Sequence, residues 1–227
     1  MDRRLIARFA LRETMGVLFM GIALFWSAGD LAWCAAWALI GVTSLWILAT
    51  GIVILRRYPE LLAERLGPRR GAKRWDTAIM SVKAILQVAV FVVAGLDHRY
   101  GWTGDANGVV QFCALLLCGL GYSLVVWSTA SNAFFSQIVR IQLERGHSVA
   151  TGGPYRIVRH PAYAGGVVTE VSTPILLGSW WALIPGMLDA FLMILRTALE
   201  DQTLRAELPG YPEYAQSVPN RLVPRVW

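Results

Sequence analysis

The chain has 227 residues, 56% of them hydrophobic and 16% charged, with a mean hydropathy of +0.48. A soluble domain of this length cannot hide so much apolar surface, so the composition excludes one and implies a single-domain integral membrane protein. The net charge of +6 is concentrated in loops beside apolar runs, which assigns it to membrane topology and anionic lipid rather than to nucleic acid.

The start, Met1-Asp2-Arg3-Arg4 followed by an apolar run, has the outline of a signal peptide. Gly29-Asp30 leads directly into a second apolar run, however, and this favours a retained first helix. A spanning helix needs about 20 apolar residues, somewhat fewer where the bilayer thins. Residues 14–28, 31–55, 76–96 and 108–130 meet that requirement, the first of them narrowly. Residues 162–177 and 181–195 are split by Gly178-Ser179-Trp180 and predict a tight helical hairpin. The expected fold is all-α, a polytopic membrane bundle of about five to six transmembrane helices ending in that hairpin. Trp26, Trp33, Trp37, Trp46 and Trp127 suit either interfacial anchoring or packing. Cys34, Cys113 and Cys118 lie within apolar stretches and read as small buried hydrophobes.

The basic residues orient the bundle. Arg3, Arg4, Arg8 and Arg12 precede the first run, and Arg56, Arg57, Arg65, Arg69, Arg70, Lys73 and Arg74 fill the second connection, so both belong on the cytoplasmic side. Gly29-Asp30 and Asp97-His98-Arg99 belong outside, which returns Arg140, Arg145, Arg156, Arg159, Arg205, Arg221 and Arg225 to the cytoplasm. Residues 56–74, with Pro59 and Pro68, read as a solvated connector. Lys83 lies close enough to a helix end to snorkel. An acid deep in a spanning helix costs about 3 kcal/mol on insertion scales, so Glu170 predicts either a structural hydrogen bond or a place in a site.

The polar groups gather in two blocks. Residues 144–163 (ERGHSVATGGPYRIVRHPAY) bring cations, imidazoles, aromatics and Gly/Pro punctuation between two apolar runs, and Arg196, Glu200 and Asp201 close the last run ahead of Leu208-Pro209-Gly210-Tyr211-Pro212-Glu213-Tyr214. Gly152-Gly153-Pro154 is a turn signal, and Pro161 suits the first residue of the fifth helix, with Arg159-His160 just before it and Tyr163 in its first turn. Arg196 and Glu200 are four apart and share a helix face. The hairpin returns that face beside the start of the fifth helix. Topology accounts for the cations one by one, but it does not require His147, Tyr155, His160, Tyr163 or Glu200. With three His in all, and His98 expected outside, no zinc site is implied.

Glu-Arg-Gly-His, then Gly-Pro-Tyr-Arg-x-Val-Arg-His-Pro-x-Tyr-x-Gly, Leu-Arg-x-x-x-Glu-Asp and Pro-Gly-Tyr-x-Glu-Tyr together resemble the isoprenylcysteine carboxyl methyltransferase family, which is related to the phospholipid N-methyltransferases. The likeness is dense over residues 132–224. It implies a membrane methyltransferase with one domain over 1–227, four transmembrane helices in 1–130 and a catalytic region in 131–227. It further implies S-adenosylmethionine held by His147, Val149, Gly153, Tyr155, Arg159, His160, Tyr163 and Glu200, with Arg196 facing the acceptor or stabilising the loops above it. Arg196 and Glu200 are thus the expected catalytic pair. Where related proteins often carry Glu-Glu, this chain has Glu200-Asp201; Asp201 is rotated about 100° away on a helix, so the role is assigned to Glu200.

A sulfonium methyl donor is already activated, so such a protein mainly aligns donor and nucleophile and excludes water. A carboxylate such as Glu200 can pair with the donor's cationic groups, and Tyr rings can pack against adenine or the sulfonium. The acceptor remains open at this level: a prenylated cysteine carboxylate, a phospholipid amine, a small thiol or another lipid carboxylate. The implied partners are membrane lipids and that lipophilic acceptor, with no nucleic acid and no metal. Two other readings stand beside it, an NADPH-dependent membrane reductase of the steroid-reductase type, which also carries Arg-His-Pro-x-Tyr, and a non-enzymatic lipid-binding or transport protein.

Overall fold

The computed structural model describes residues 3–67 and 71–227. Met1 and Asp2 of the signal-like start, and Pro68, Arg69 and Arg70 of the basic connector, lie outside the described residues. Among those described, the regular elements are all helical: α1 (Arg3–Ala28), α2 (Cys34–Arg57), α3 (Glu60–Leu66), α4 (Arg74–Tyr100), α5 (Gly108–Ala130), α6 (Pro161–Leu176), α7 (Leu183–Glu207) and α8 (Tyr211–Ser217), with two short 3₁₀ turns at Leu143–Arg145 and Gly153–Arg156.

Of the described helices, α1, α2, α4 and α5 are long and apolar enough to cross a membrane. Leu18, Phe19, Ile22, Leu45, Leu48, Leu117, Leu120 and Phe191 stay exposed around the bundle. A belt of that kind would aggregate in water, and in a bilayer it is the lipid-facing surface. Cys34 and Cys113 belong to this outer surface and only Cys118 is buried, which corrects the expectation for two of the three cysteines. The hairpin forms as expected from α6 and α7. Sixteen residues give α6 a length of only about 24 Å. Both hairpin helices are instead packed against their neighbours, α6 on α5 and α7 on α4.

Local chemistry sets the helix ends. Pro161 sits at the start of α6, where its missing N–H leaves no lost bond. Asn107 caps α5, its side chain accepting from Val109 N at 2.9 Å and Val110 N at 3.3 Å. The tightest crossing is α5 on α6, where a Cβ added at Gly165 would lie 2.5 Å from the Gly121 carbonyl oxygen. Only glycine permits backbones that close.

One end of the bundle carries the start of α1, the α2–α4 connection, the α5–α6 loop and the C-terminal segment. Arg12 donates to the Arg65 carbonyl at 2.9 Å, Arg140 to Glu64 at 2.6 and 2.8 Å, and Lys73 to Glu207 at 2.6 Å, all at that end. Asp97 closes the opposite end, accepting from Ser179 at 2.5 Å and from the Thr103 amide at 2.7 Å. The bundle therefore sorts its basic segments to one side, as the loop charges predict.

The 56–74 connector departs from its solvated reading. Residues 60–66 form α3, which buries Leu61 and Leu62 against Phe9 and Ile54, while Arg65 donates to the Phe135 carbonyl and Glu64 holds Arg140. The cationic Arg140 keeps the Glu64 carboxyl below its ordinary range. Lys83 likewise does not snorkel. It turns inward and donates to Glu170 at 2.7 Å and Asp189 at 2.8 Å, since a buried ammonium this far from a helix end finds carboxylates nearer than water.

Candidate active site

Two cavities meet at the basic end of the bundle. The first, about 80 Å³ and open to solvent, lies under the α5–α6 loop and is walled by Phe134, His147, Val149, Tyr155, Tyr163, Glu200, Tyr211 and Tyr214. The second, about 490 Å³, runs between the helices and is lined by residues of α1 to α7 together with the loop segment 135–138. Phe135, Ser136, Ile138, Ala162 and Tyr163 face both. The two spaces are thus neighbours across a thin partition whose polar members are Tyr163 and Ser136, the latter donating to Glu64 at 3.1 Å.

The partition is held from both sides. The Tyr163 hydroxyl donates to the Glu200 carboxylate, and the Arg196 guanidinium lies 5.0 Å from the Tyr163 ring centroid. Arg196 faces the second cavity, donating to Asp76 at 2.7 Å and to the Gln137 carbonyl at 3.1 Å. The other Asp76 oxygen accepts from the Val139 amide at 2.8 Å. Asp76 and Arg196 therefore pin the loop over the partition, and the expected sharing of a helix face by Arg196 and Glu200 sends one to each cavity.

Asp201 is the hub behind the first cavity. Fully buried, it receives Arg159 through two bonds of 2.6 and 3.1 Å, Tyr211 at 2.9 Å, His160 at 3.4 Å, and Arg205 and Arg221 at 3.0 Å each. Arg159 also donates to the Val218 carbonyl at 2.7 Å. Arg159 and His160 reach the cavity wall but direct these hydrogen bonds at Asp201, so they fasten the start of α6 to α7 and α8. The His160 ring stacks on Tyr163 with centroids 5.7 Å apart. Fixing Asp201 in this way leaves Glu200, one residue earlier, aimed into the cavity.

The remaining expected residues divide. His147 stacks on Phe134 at 4.6 Å, and its Nδ1 accepts from the Gln142 amide at 3.3 Å. Burial first, then Arg145 and Arg140, push its pKa below the ordinary imidazole value, so it is neutral at pH 7. Tyr155 is buried, its hydroxyl accepting from Asn132 at 3.3 Å and its carbonyl accepting from the Tyr214 hydroxyl at 2.7 Å. Burial pushes its phenol up and keeps it protonated. Val149 packs beside Tyr155 and Tyr214. Gly153 is not among the lining residues; its φ of 55° and a Cβ that would meet Ser131 Oγ at 2.2 Å give it a turn to build instead.

Residues 112–206 match the isoprenylcysteine carboxyl methyltransferase (ICMT) family, a span that includes every expected site residue. The chain is 34% identical over 187 residues to a probable protein-S-isoprenylcysteine O-methyltransferase of Oryza sativa subsp. japonica, covering 76% of this chain and 92% of that protein. The chain belongs to the ICMT family. It is also 31% identical over 93 residues to protein-S-isoprenylcysteine O-methyltransferase B of Arabidopsis thaliana, covering 38% of this chain and 45% of that protein. A solved eukaryotic intramembrane Ras methyltransferase ICMT aligns over 95% of this chain and 86% of its own length at 17% identity, with a TM-score of 0.48. Membership makes this chain a membrane methyltransferase and sets aside the reductase and lipid-carrier alternatives.

The residues missed by sequence reasoning are Asp201 as a hub, Asp76 as the partner of Arg196, and Tyr211 and Tyr214 as cavity walls. A signal existed for the last two, because Pro-Gly-Tyr-x-Glu-Tyr follows α7 closely.

Proposed function

We propose that this ICMT-family protein transfers the methyl group of S-adenosylmethionine to the carboxylate of a lipophilic, isoprenylcysteine-like acceptor, with the donor in the loop cavity and the acceptor in the intramembrane cavity. The observation that carries the reading is Tyr163, which faces both cavities while it is bonded to Glu200 and stacked under Arg196. The loop cavity suits such a donor by chemistry: one carboxylate for a cationic group and aromatic faces for a purine and a sulfonium. The names of the rice and Arabidopsis relatives support an isoprenylcysteine acceptor.

When bound, S-adenosylmethionine supplies an electrophilic methyl group that needs no further activation. An acceptor carboxylate oxygen forms the new O–C bond as the S–C bond breaks, the electron pair goes to sulfur, and the products are a methyl ester and a neutral thioether. Opposite charges cancel in this step, so a dry site favours it and no base is needed. The residues supply position. Glu200, oriented by Tyr163, holds the donor's cationic region, and neutral His147 and the rings of Phe134 and Tyr155 receive its flat portion. Arg196, fixed by Asp76 and Gln137, draws the acceptor carboxylate to the partition. Arg159, His160 and Asp201 keep the frame rigid behind them. The excess of basic residues at this end supports a cytoplasmic orientation.

Titration of the purified protein in lipid nanodiscs with S-adenosylmethionine tests the donor half. Saturable binding is expected, weakened at least about tenfold by Glu200→Gln. Unchanged affinity in that variant, or no binding by the native protein, overturns the assignment.

A further inference from the structure

The two halves of the bundle are filled differently. Toward the basic end the helices enclose the intramembrane cavity, and toward the other end they close on a solid core that includes Leu39, Val90, Phe91 and Cys118. Between open and filled space stands a wall built from paired residues. Trp46 of α2 and Tyr122 of α5 line the cavity and stack with centroids 4.8 Å apart, and the Tyr122 hydroxyl shares a hydrogen bond of 3.2 Å with Thr43. Leu39 lies one turn beyond Thr43 and Cys118 one turn beyond Tyr122, both already in the core. Beside this pair, Lys83 of α4 donates to Glu170 of α6 at 2.7 Å and to Asp189 of α7 at 2.8 Å, a buried ion cluster that ties three helices at one level. Glu170 also lines the cavity and lies within electrostatic range of Tyr122, so the aromatic and ionic parts of the wall are neighbours.

Helix rise gives the depth of the space below that wall. Glu170 follows Tyr163 by two turns, and Lys83 follows Asp76 by two turns, which puts the ion cluster about 10 Å beyond the partition. Gln87, the cavity residue of α4 farthest from the partition, lies about 16 Å beyond Asp76. An extended farnesyl chain measures about 14 Å and a geranylgeranyl chain about 19 Å at ordinary carbon–carbon bond lengths. The path between partition and wall is apolar, with Phe9, Ile47, Met80, Val125 and Met193 along it. Gly166, one turn beyond Tyr163, keeps this path open, since a Cβ there would come within 3.3 Å of the Met193 methyl. The wall itself does not give way easily, because moving it separates a buried ion pair.

We propose that Trp46 and Tyr122, backed by the cluster of Lys83, Glu170 and Asp189, are the end stop of the acceptor cavity and make the farnesyl chain the isoprenoid tail that fills it best. The inference rests on the acceptor half of the reading above and deepens it from a lipophilic tail to a tail of measured length. A geranyl chain stops short of the wall and leaves a void, whose lining forfeits packing contacts. A geranylgeranyl chain reaches the wall with length to spare and has to buckle, which overpacks the cavity. All three tails present the same cysteine carboxylate to Arg196, so Trp46 and Tyr122 determine specificity without touching the reacting atoms.

The test is competition, in lipid nanodiscs and without any methyl donor, between labelled N-acetyl-S-farnesylcysteine and its geranyl and geranylgeranyl counterparts at equal mole fractions in the lipid. The native protein should hold the farnesyl compound several-fold more tightly than either of the others. Trp46→Leu, which opens the wall, should raise the affinity for geranylgeranyl relative to farnesyl by at least about fivefold. Gly166→Leu, which fills the path one turn from the partition, should shift the order the other way, in favour of geranyl. Each variant is read as a ratio within one protein, so a loss of stability common to all three tails cancels. Equal affinity for the three tails in the native protein, as a tail running out between helices into lipid would give, overturns the end stop and leaves the acceptor reading in place. An unchanged order in both variants does the same. Absence of binding by any tail removes the acceptor reading and this inference with it.

Discussion

The two cavities share Tyr163 and differ in how their polar walls are satisfied. Behind the loop cavity, Arg159, His160, Asp201, Tyr211 and Tyr214 bond to one another or to backbone with no partner missing, so the frame is complete before any ligand arrives. In the intramembrane cavity, Trp46, Thr50 and Glu170 each present an unpaired atom. The contrast teaches a division of labour. On the proposed assignment, the donor side is preorganised by a network, whereas the acceptor side keeps buried polar atoms that its own side chains leave unpaired.

The largest effect should come from breaking the completed side. Asp201→Ala leaves the buried Arg159 without its carboxylate, an error that costs about 3–5 kcal/mol, so a large fall in the thermal unfolding temperature in detergent and loss of donor binding are expected together. Arg196→Leu strands Asp76 in the same way and should abolish methyl transfer while leaving donor affinity closer to native, read as turnover against binding. Gly165→Ala forces α6 off the Gly121 carbonyl and should destabilise the bundle by about 1–3 kcal/mol in the same unfolding assay, because it overpacks the crossing that shapes both cavities.

A smaller effect tracks pH. The folded protein holds the His147 pKa below its unfolded value, so the unfolded chain binds the proton first as pH falls. The contribution is therefore present above about pH 6.5 and is lost as pH falls through the folded pKa. Donor affinity should decline over the same interval, and His147→Asn should flatten the decline. An unchanged pH profile in that variant would detach His147 from the donor wall.

Much of this architecture was legible because lipid and backbone impose periodic rules. Residues 108–130 coincide with α5, and 31–55 and 76–96 fall within a few residues of α2 and α4. The run 14–28 underestimated α1, which begins at Arg3, because hydropathy marks where a helix meets lipid and not where its hydrogen bonds begin. The seven residues of α3 are too few for a periodic signal and were read as a connector. Within the site, the pairing of Tyr163 with Glu200 was accessible through hairpin geometry. The fastening of Arg196 to Asp76 spans 120 residues, and no local pattern encodes such a partner. The same limit hid Asp201: helical rotation correctly separates it from Glu200, but only the packed loops show that it collects Arg159, His160, Tyr211, Arg205 and Arg221.

The most direct test of the central claim follows a labelled methyl group. Purified protein in nanodiscs, given methyl-labelled S-adenosylmethionine and N-acetyl-S-farnesylcysteine, should form a product that releases labelled methanol on mild alkaline hydrolysis, as a methyl ester does, and Arg196→Leu should form none. Label retained in a base-stable amine or thioether, or no transfer despite saturable donor binding, would contradict the carboxylate at the Tyr163 partition.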